Sequence, residues 1–217
     1  FTSLDMERMF REGPSLVTRQ GRNPERLAII HCVGSRDAKT GNQYCSKVCC
    51  ITGIKQAIEI NRRVPECEIF CFYMDLRLYG ATFDSLYLKA QRQHKIQFIR
   101  GRLSEAAETR DHGLMIKAED TLSGRPLRMQ VDMMVLLVGM EPCEASAHLC
   151  SDSGLEADEN GFFRTRDEHW SRSHSTTEGV FLAGACTCPM SVSETLEHAR
   201  SAALATHRFL HETACHE

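Results

Sequence analysis

The chain has 217 residues, with 26 lysines and arginines against 29 aspartates and glutamates, a formal net charge of −3. That near-balance argues against a dedicated nucleic-acid binder, and 42% hydrophobic with 25% charged residues is a globular composition, not a disordered one. The longest apolar run, Met133 to Val138, is far short of the ~20 residues that cross a bilayer, so no direct membrane insertion is expected. Residues 1–24 are polar, broken by Gly13-Pro14 and Gly21-Arg22-Asn23-Pro24, and read as a connecting segment. Arg26 to Val33 reads as a buried strand stopped by Gly34. Cys45 to Arg62 carries Val48, Ile51, Ile54 and Ile58 at threes and fours, the helical period. Glu68 to Met74 gives a second strand, Thr82 to His94 a second helix, and Ile96 to Ile99 a third strand. This alternation predicts an α/β fold, a Rossmann-like three-layer unit with a parallel sheet over 25–105. Leu114 to Ala118 and Leu127 to Val131 flank a turn at Ser123-Gly124 and read as a hairpin. Met133 to Val138 and Gly179 to Ala185 read as buried strands, and Ser193 to Leu210 as a closing helix.

Eleven cysteines and ten histidines are out of line with this ordinary composition. An odd cysteine count cannot close a full disulfide framework, and the chain opens without a signal-peptide pattern. A reducing, cytoplasmic setting is expected, where clustered cysteines serve metals or redox chemistry. Cys32, Cys45, Cys49 and Cys50 form a Cys-x12-Cys-x3-Cys-Cys pattern, the first at a strand end and the other three at the start of a helix. A helix N-terminus favours thiolates, and four converging thiolates match the ligand set of an iron–sulfur cluster. Adjacent cysteines diverge, which suits separate iron corners better than one small ion. The paired two-residue spacings usual for zinc are missing, although zinc, or thiols holding nothing, stays open.

The turn Cys32-Val33-Gly34-Ser35-Arg36-Asp37 keeps one of the three glycines of a dinucleotide-binding fingerprint. The cysteines thus occupy the place of the nucleotide, and Asp75 reads as a solvated turn residue. Cys67 and Cys71 fall on one strand face and read as buried small hydrophobes. Cys143 and Cys150 read as residues of a loop or short helix, Cys186 and Cys188 as exposed thiols, and Trp170 as packing.

Two glycine-ended strands, up to Gly139 and Gly184, followed by a helix rich in alanine (Ala199, Ala202, Ala203, Ala205) resemble the closing part of the flavin domain in flavoprotein disulfide reductases. Ala185 stands where most such enzymes carry an aspartate that binds the ribityl chain. With Cys32 to Asp37, Tyr44 to Cys50, Phe72 to Arg77, Phe98 to Gly101, Glu119 to Gly124 and Phe181 to Cys186, the chain from about Thr2 to Leu210 resembles the A subunit of heterodisulfide reductase. Its relatives include flavin subunits of the quinone-interacting membrane-bound oxidoreductase. The resemblance implies a [4Fe–4S] cluster on Cys32, Cys45, Cys49 and Cys50. It also implies FAD against the stretch from Gly184 to Glu194, with Gly139, Gly184, Ala185, Cys186, Ser193 and Glu194 as cofactor contacts. The family's Gly-Pro-Lys-Asp-Ile-Pro is replaced by Thr187-Cys188-Pro189-Met190-Ser191-Val192-Ser193.

The expected plan is a connecting segment over 1–24, a Rossmann-like unit with the cysteine cluster over 25–105, and the C-terminal part of an FAD-binding-type domain over 106–217. Its expected function is that of an electron-transferring oxidoreductase component, passing electrons between FAD, the cluster and other redox subunits of a heterodisulfide reductase-like or quinone-linked complex. Any attachment to a membrane passes through those partners. The first half of the flavin domain, with its Gly-x-Gly-x-x-Gly, is not in the sequence, so the chain is expected to be a piece of a larger subunit, inactive and weak in FAD binding by itself. Two alternatives remain, a non-catalytic zinc-binding or docking domain and an NAD(P)H-dependent disulfide reductase.

Overall fold

The run Leu27-Ala28-Ile29-Ile30 makes β1 (Arg26–Val33) a strand buried on both faces, and a parallel sheet is built around it. The structure, a computed structural model, describes residues 1–13 and 15–214; Pro14 and His216 lie outside them. The chain divides into two compact units, Phe1–Gly34 with Cys49–Gly139, and Ser35–Val48 with Met140–Glu217.

In the first unit, α1 (Ser3–Glu12) precedes β1, and α2 (Cys49–Arg63), β2 (Glu68–Tyr73), α3 (Ala81–Arg92) and β3 (Gln97–Arg100) follow. Then come β4 (Leu103–Glu108), β5 (Leu114–Asp120), β6 (Arg125–Val131) and β7 (Met133–Val138). The central sheet runs β3-β2-β1-β7, with every pairing parallel. Alternation along the strands sends Leu27, Ile29, Ile69, Cys71, Val135 and Leu137 into one core with Ile54, Ala57 and Ile58 of α2. The opposite face sends Ala28, Ile30, Phe70 and Phe72 against Ile116, Ala118 and Val131 of the antiparallel sheet β4-β5-β6. The unit has three layers as expected, but its third layer is that sheet rather than a row of helices. β7, expected in the flavin-type part, instead completes the central sheet beside β1. Cys67 and Cys71 are buried apolar groups, and burial pushes the Cys67 thiol up to about 12 and the Cys71 thiol higher still.

Residues 1–24 are not a mere connection. Thr2 and Asp5 form a reciprocal capping box at the start of α1, the Asp5 carboxylate accepting from the Thr2 backbone N–H at 2.8 Å. Met6 is fully buried, and Leu136 N–H donates to the Phe1 carbonyl at 2.8 Å, tying the N-terminus to β7.

The second unit holds the loop Ser35–Val48, α4 (Glu144–Ser153), the hairpin β8 (Thr165–Asp167) and β9 (Ser171–Ser175), and α5 (Val192–Ala214). Leu155, Phe163 and Leu182 form its small core. The strand expected over 179–185 does not form; Phe181 makes one isolated bridge to His174, and Leu182 N–H donates to the Ser173 carbonyl at 2.8 Å. Among the described residues these segments have no parallel neighbour in the second unit, so the run lies along β9 instead. No helix among the described residues is long and apolar enough to cross a membrane.

Gly101 ends β3 where the backbone of β5 crosses it. A Cβ there would stand 1.8 Å from the Glu119 carbonyl oxygen, while Gly101 N–H donates to the Tyr73 carbonyl at 2.8 Å. Gly101→Ala is therefore expected to lower stability by about 1–3 kcal/mol through forced backbone movement. The check is a lower urea midpoint at unchanged slope.

Candidate functional site

Three of the four predicted cluster cysteines lie in the first unit, at the carboxyl end of the parallel sheet. The order β3-β2-β1-β7 places sequential strands to one side of β1 and the late strand to the other. The crevice between the ends of β1 and β7 is therefore the topological switch point, where open α/β sheets bind ligands. Cys32 sits at the end of β1, and Cys49 and Cys50 open α2. All three are buried, at 8%, 7% and 5% exposure.

The end of β1 is irregular. Between the pairs Ile30–Leu136 and Val33–Val138, β1 advances three residues while β7 advances two, a β-bulge that holds His31 and Cys32. Cys32 takes a left-handed φ of 59°, a strain of roughly 1–3 kcal/mol for a residue with a Cβ. Beyond the bulge, Gly139 N–H returns to the Val33 carbonyl at 2.9 Å. The two adjacent thiols diverge as expected: Cys49 Sγ lies 3.9 Å from the Val138 carbonyl oxygen at the end of β7, and Cys50 Sγ 4.0 Å from that of Asp75 beyond β2. Among the described residues no three His, Cys, Asp or Glu side chains converge as a single metal ion would require.

The fourth cysteine belongs to the second unit. Cys45 is not at a helix start; α2 begins four residues later, because Lys47 takes a φ of 66° and interrupts any helix there. That twist turns Lys47 N–H onto Cys45 Sγ at 3.3 Å. The loop is fixed by hydrogen bonds. Arg36 N–H donates to the Tyr44 carbonyl at 2.9 Å, Met140 N–H to Ser46 Oγ at 2.8 Å, and Tyr44 Oη–H to the Met140 carbonyl at 2.8 Å. Ser46 is fully buried. Cys32, Arg36 and Lys47 are three of the five non-glycine residues with left-handed φ among the described residues, so the backbone strain gathers in the stretch that carries the cysteines.

Of the expected flavin contacts, Gly139 follows β7 in the first unit, and the other five are in the second. Gly184 is buried with a φ of 80°, and its N–H donates to Nδ1 of the buried His198 at 3.0 Å. His198 Nε2 therefore carries the proton and donates to the Arg172 carbonyl at 3.1 Å. Ala185 and Ser193 are exposed. Cys186 is half-buried, its thiol pushed up by burial, and Cys188 Sγ accepts from Arg172 Nη2 at 3.1 Å.

Glu194 closes a capping box on Ser191 at the start of α5, accepting from Ser191 N–H at 2.9 Å and from its Oγ–H at 2.8 Å. Its other carboxylate oxygen pairs with the Lys47 ammonium. Burial pushes this carboxyl up, but the Lys47 and Ser191 hydrogen bonds outweigh it and hold the group down at about 2. Lys47, Arg172, Met190, Ser193, Glu194 and His198 line a cleft of about 430 Å³. Trp170, read from the sequence as packing, is 92% exposed at the turn between β8 and β9, where Asp167 Oδ1 accepts the His169 and Trp170 N–H groups, each at 2.8 Å.

A family model described as pyridine nucleotide-disulphide oxidoreductase matches residues 51–205. The chain belongs to this family. As a member of that oxidoreductase family it is 37% identical over 207 residues to the A subunit of the H(2):CoB-CoM heterodisulfide,ferredoxin reductase of Methanothermobacter thermautotrophicus, covering 93% of this chain and 31% of that protein. It is 34% identical over 212 residues to the iron-sulfur A subunit of the CoB–CoM heterodisulfide reductase of Methanocaldococcus jannaschii, covering 94% of this chain and 32% of that one. The chain thus spans about a third of the length of these relatives. Among solved structures, thioredoxin reductase of T. acidophilum superposes with a TM-score of 0.57 at 18% identity, covering 84% of this chain and 52% of that one. Thioredoxin reductase of Lactococcus lactis gives 0.57 at 19%, covering 88% and 54%. These likenesses fix the flavoprotein disulfide reductase fold.

Two buried histidines of this family member carry no spacing signal in the sequence. His198 fixes Gly184, as above. His31 lies beside Cys32 in the bulge, and burial pushes its imidazole down to about 4. The Ser191-x-x-Glu194 box, by contrast, is legible as a helix start.

The depressed Glu194 value contributes stability that is present above the ordinary glutamate value of 4.5 and is lost as pH falls toward 2. In Lys47→Met the Glu194 carboxyl is expected to titrate closer to 4.5, with the Ser191 hydrogen bonds retaining part of the shift. Carboxyl-carbon NMR titration of both chains checks this, and the variant is expected to lose part of the stability difference between about pH 5 and pH 2.

Proposed function

We propose that this chain is part of an electron-transferring iron–sulfur flavoprotein akin to the A subunit of heterodisulfide reductase. In this reading Cys32, Cys45, Cys49 and Cys50 hold a [4Fe–4S] cluster. The stretch from Gly184 to Glu194, together with Gly139, serves FAD in the complete protein, and electrons pass to and from other redox subunits. The observation that carries the reading is the strained, bulged end of β1. A chain with no ligand to hold gains nothing from a left-handed cysteine at the switch point of its sheet, since strain of this kind persists where surroundings and function demand it.

The residues fit the group. Cys49 and Cys50 point apart, one toward the end of β7 and the other beyond the end of β2, as ligands of separate iron atoms do. The second reading, zinc, calls for four ligands converging tetrahedrally at about 2.3 Å, which the divergence of the adjacent thiols disfavours. A nicotinamide nucleotide in this crevice would need its pyrophosphate at the start of α2, where Cys49 and Cys50 are buried instead.

When bound, an iron–sulfur cluster supplies one-electron transfer at a potential set by its surroundings. The chain's own part is to keep Cys32, Cys49 and Cys50 from water, to favour thiolates at the N-terminus of α2, and to direct the Lys47 N–H at Cys45 Sγ. In the second unit, the cleft beside Glu194 and Lys47 is of a size suited to part of a planar cofactor.

Anaerobic preparation of the chain followed by iron, sulfide and zinc analysis tests the proposal. About four irons and four sulfides per chain are expected, lost in Cys49→Ser and kept in Cys71→Ser, whose thiol is buried in the apolar core. One zinc without iron would move the chain to the scaffold reading.

A further inference from the structure

His31 is the misfit of the first unit's core. It continues the face of β1 that carries Leu27 and Ile29 beneath α2, it is 6% exposed, and among the described residues neither Nδ1 nor Nε2 has a hydrogen-bond partner. A buried polar atom left unsatisfied costs roughly 1–3 kcal/mol, so packing alone would favour a leucine here. The fold also makes room for the ring. A Cβ on Gly53 of α2 would stand 3.1 Å from both Cε1 and Nε2 of His31, and 2.5 Å from Leu137 Cδ1. Glycine in a helix interior is itself unfavourable by about 1 kcal/mol relative to alanine.

The position of this pocket is specific. On α2, the residue one turn before Gly53 on the same face is Cys49. On β1, the residue after His31 is Cys32, within the bulge. On β7, Leu137 bounds the ring, and the next residue, Val138, carries the carbonyl approached by Cys49 Sγ. The imidazole is thus packed against α2 one turn from Cys49 and beside the β7 residue that precedes Val138, with its ring nitrogens without a partner among the described residues.

We infer that His31 is a positioning residue whose ring N–H is held for a sulfur of the group bound at Cys32, Cys49 and Cys50. The inference rests on the cluster reading above and adds a role for a residue outside the ligand set. Hydrogen bonds to cluster sulfurs stabilise the more negative, reduced form and raise the reduction potential. An imidazole supplies such an N–H donor, and its burial keeps water from competing for it.

The experiment compares the anaerobically reconstituted chain with His31→Leu, which removes the donor at similar bulk, and His31→Gln, which retains an N–H donor. Iron and sulfide content, the potential from an EPR-monitored redox titration, and the melting temperature of the cluster-free chain are read for each. The expected result is equal loading in all three, a more negative potential for His31→Leu, and a potential near the unsubstituted value for His31→Gln. The cluster-free His31→Leu chain is also expected to melt higher than the unsubstituted one. Equal loading with equal potentials would overturn the role of His31, as would a lower melting temperature for cluster-free His31→Leu. If the unsubstituted chain takes up no cluster, the underlying reading fails, and iron analysis separates that failure from the other.

Discussion

The pairing of β1 with β2 on one side and β7 on the other is the constraint from which the first unit follows. A strand hydrogen-bonded along both edges and buried on both faces leaves no place for a polar or irregular feature until its end. There the ladder slips by one residue, and the slip is confined between Ile30 and Val33. The regular ladder below supplies the rigidity needed to hold Cys32 in a conformation that an isolated strand would reject. Order in the sheet and disorder of register at its tip are parts of one design, because ligands of parallel sheets gather at strand ends.

The second unit depends on short polar links more than on burial. Its core of Leu155, Phe163 and Leu182 is small. Tyr44, Ser46, Met140, His198 and the Ser191–Glu194 cap fix its loops through hydrogen bonds, several of them between partners distant in sequence. The Lys47–Glu194 pair links the cysteine-bearing loop to the start of α5 inside this one unit. Such links give modest stability and strong geometric definition.

Much of the first unit is legible in the sequence because its signals are local. The apolar runs of β1, β2 and β7 and the helical period of α2 predict elements close to those observed. Partner choice is not legible, since β7 lies about a hundred residues from β1 and only pairing tells them to be neighbours. β4 escapes notice because five of its six residues are exposed and no alternation marks it. The capping box at Thr2 and Asp5 is in plain view but stands amid polar residues that suggest a linker. The Gly179–Ala185 run misleads because an apolar stretch requires a neighbouring strand to become one. At the candidate site, cysteine spacing points to residues of which three gather at the sheet's end, while the left-handed Lys47, which keeps Cys45 out of α2, has no sequence signature. His31 carries no spacing signal either, for its meaning lies in what surrounds it.

The loop Ser35–Val48 leaves the first unit after β1 and returns to it at α2, yet it is held by Met140 and Glu141, 94 to 99 residues further along. On a ribosome the chain emerges from its N-terminus, and units form as their residues become available. The partners of β1 extend to Val138, so the central sheet can close at nearly the moment when the anchors of the loop appear. The order of synthesis thus lets the ladder of β1 and the anchors of the loop close within a few residues of each other, although both have waited for a hundred residues of intervening chain.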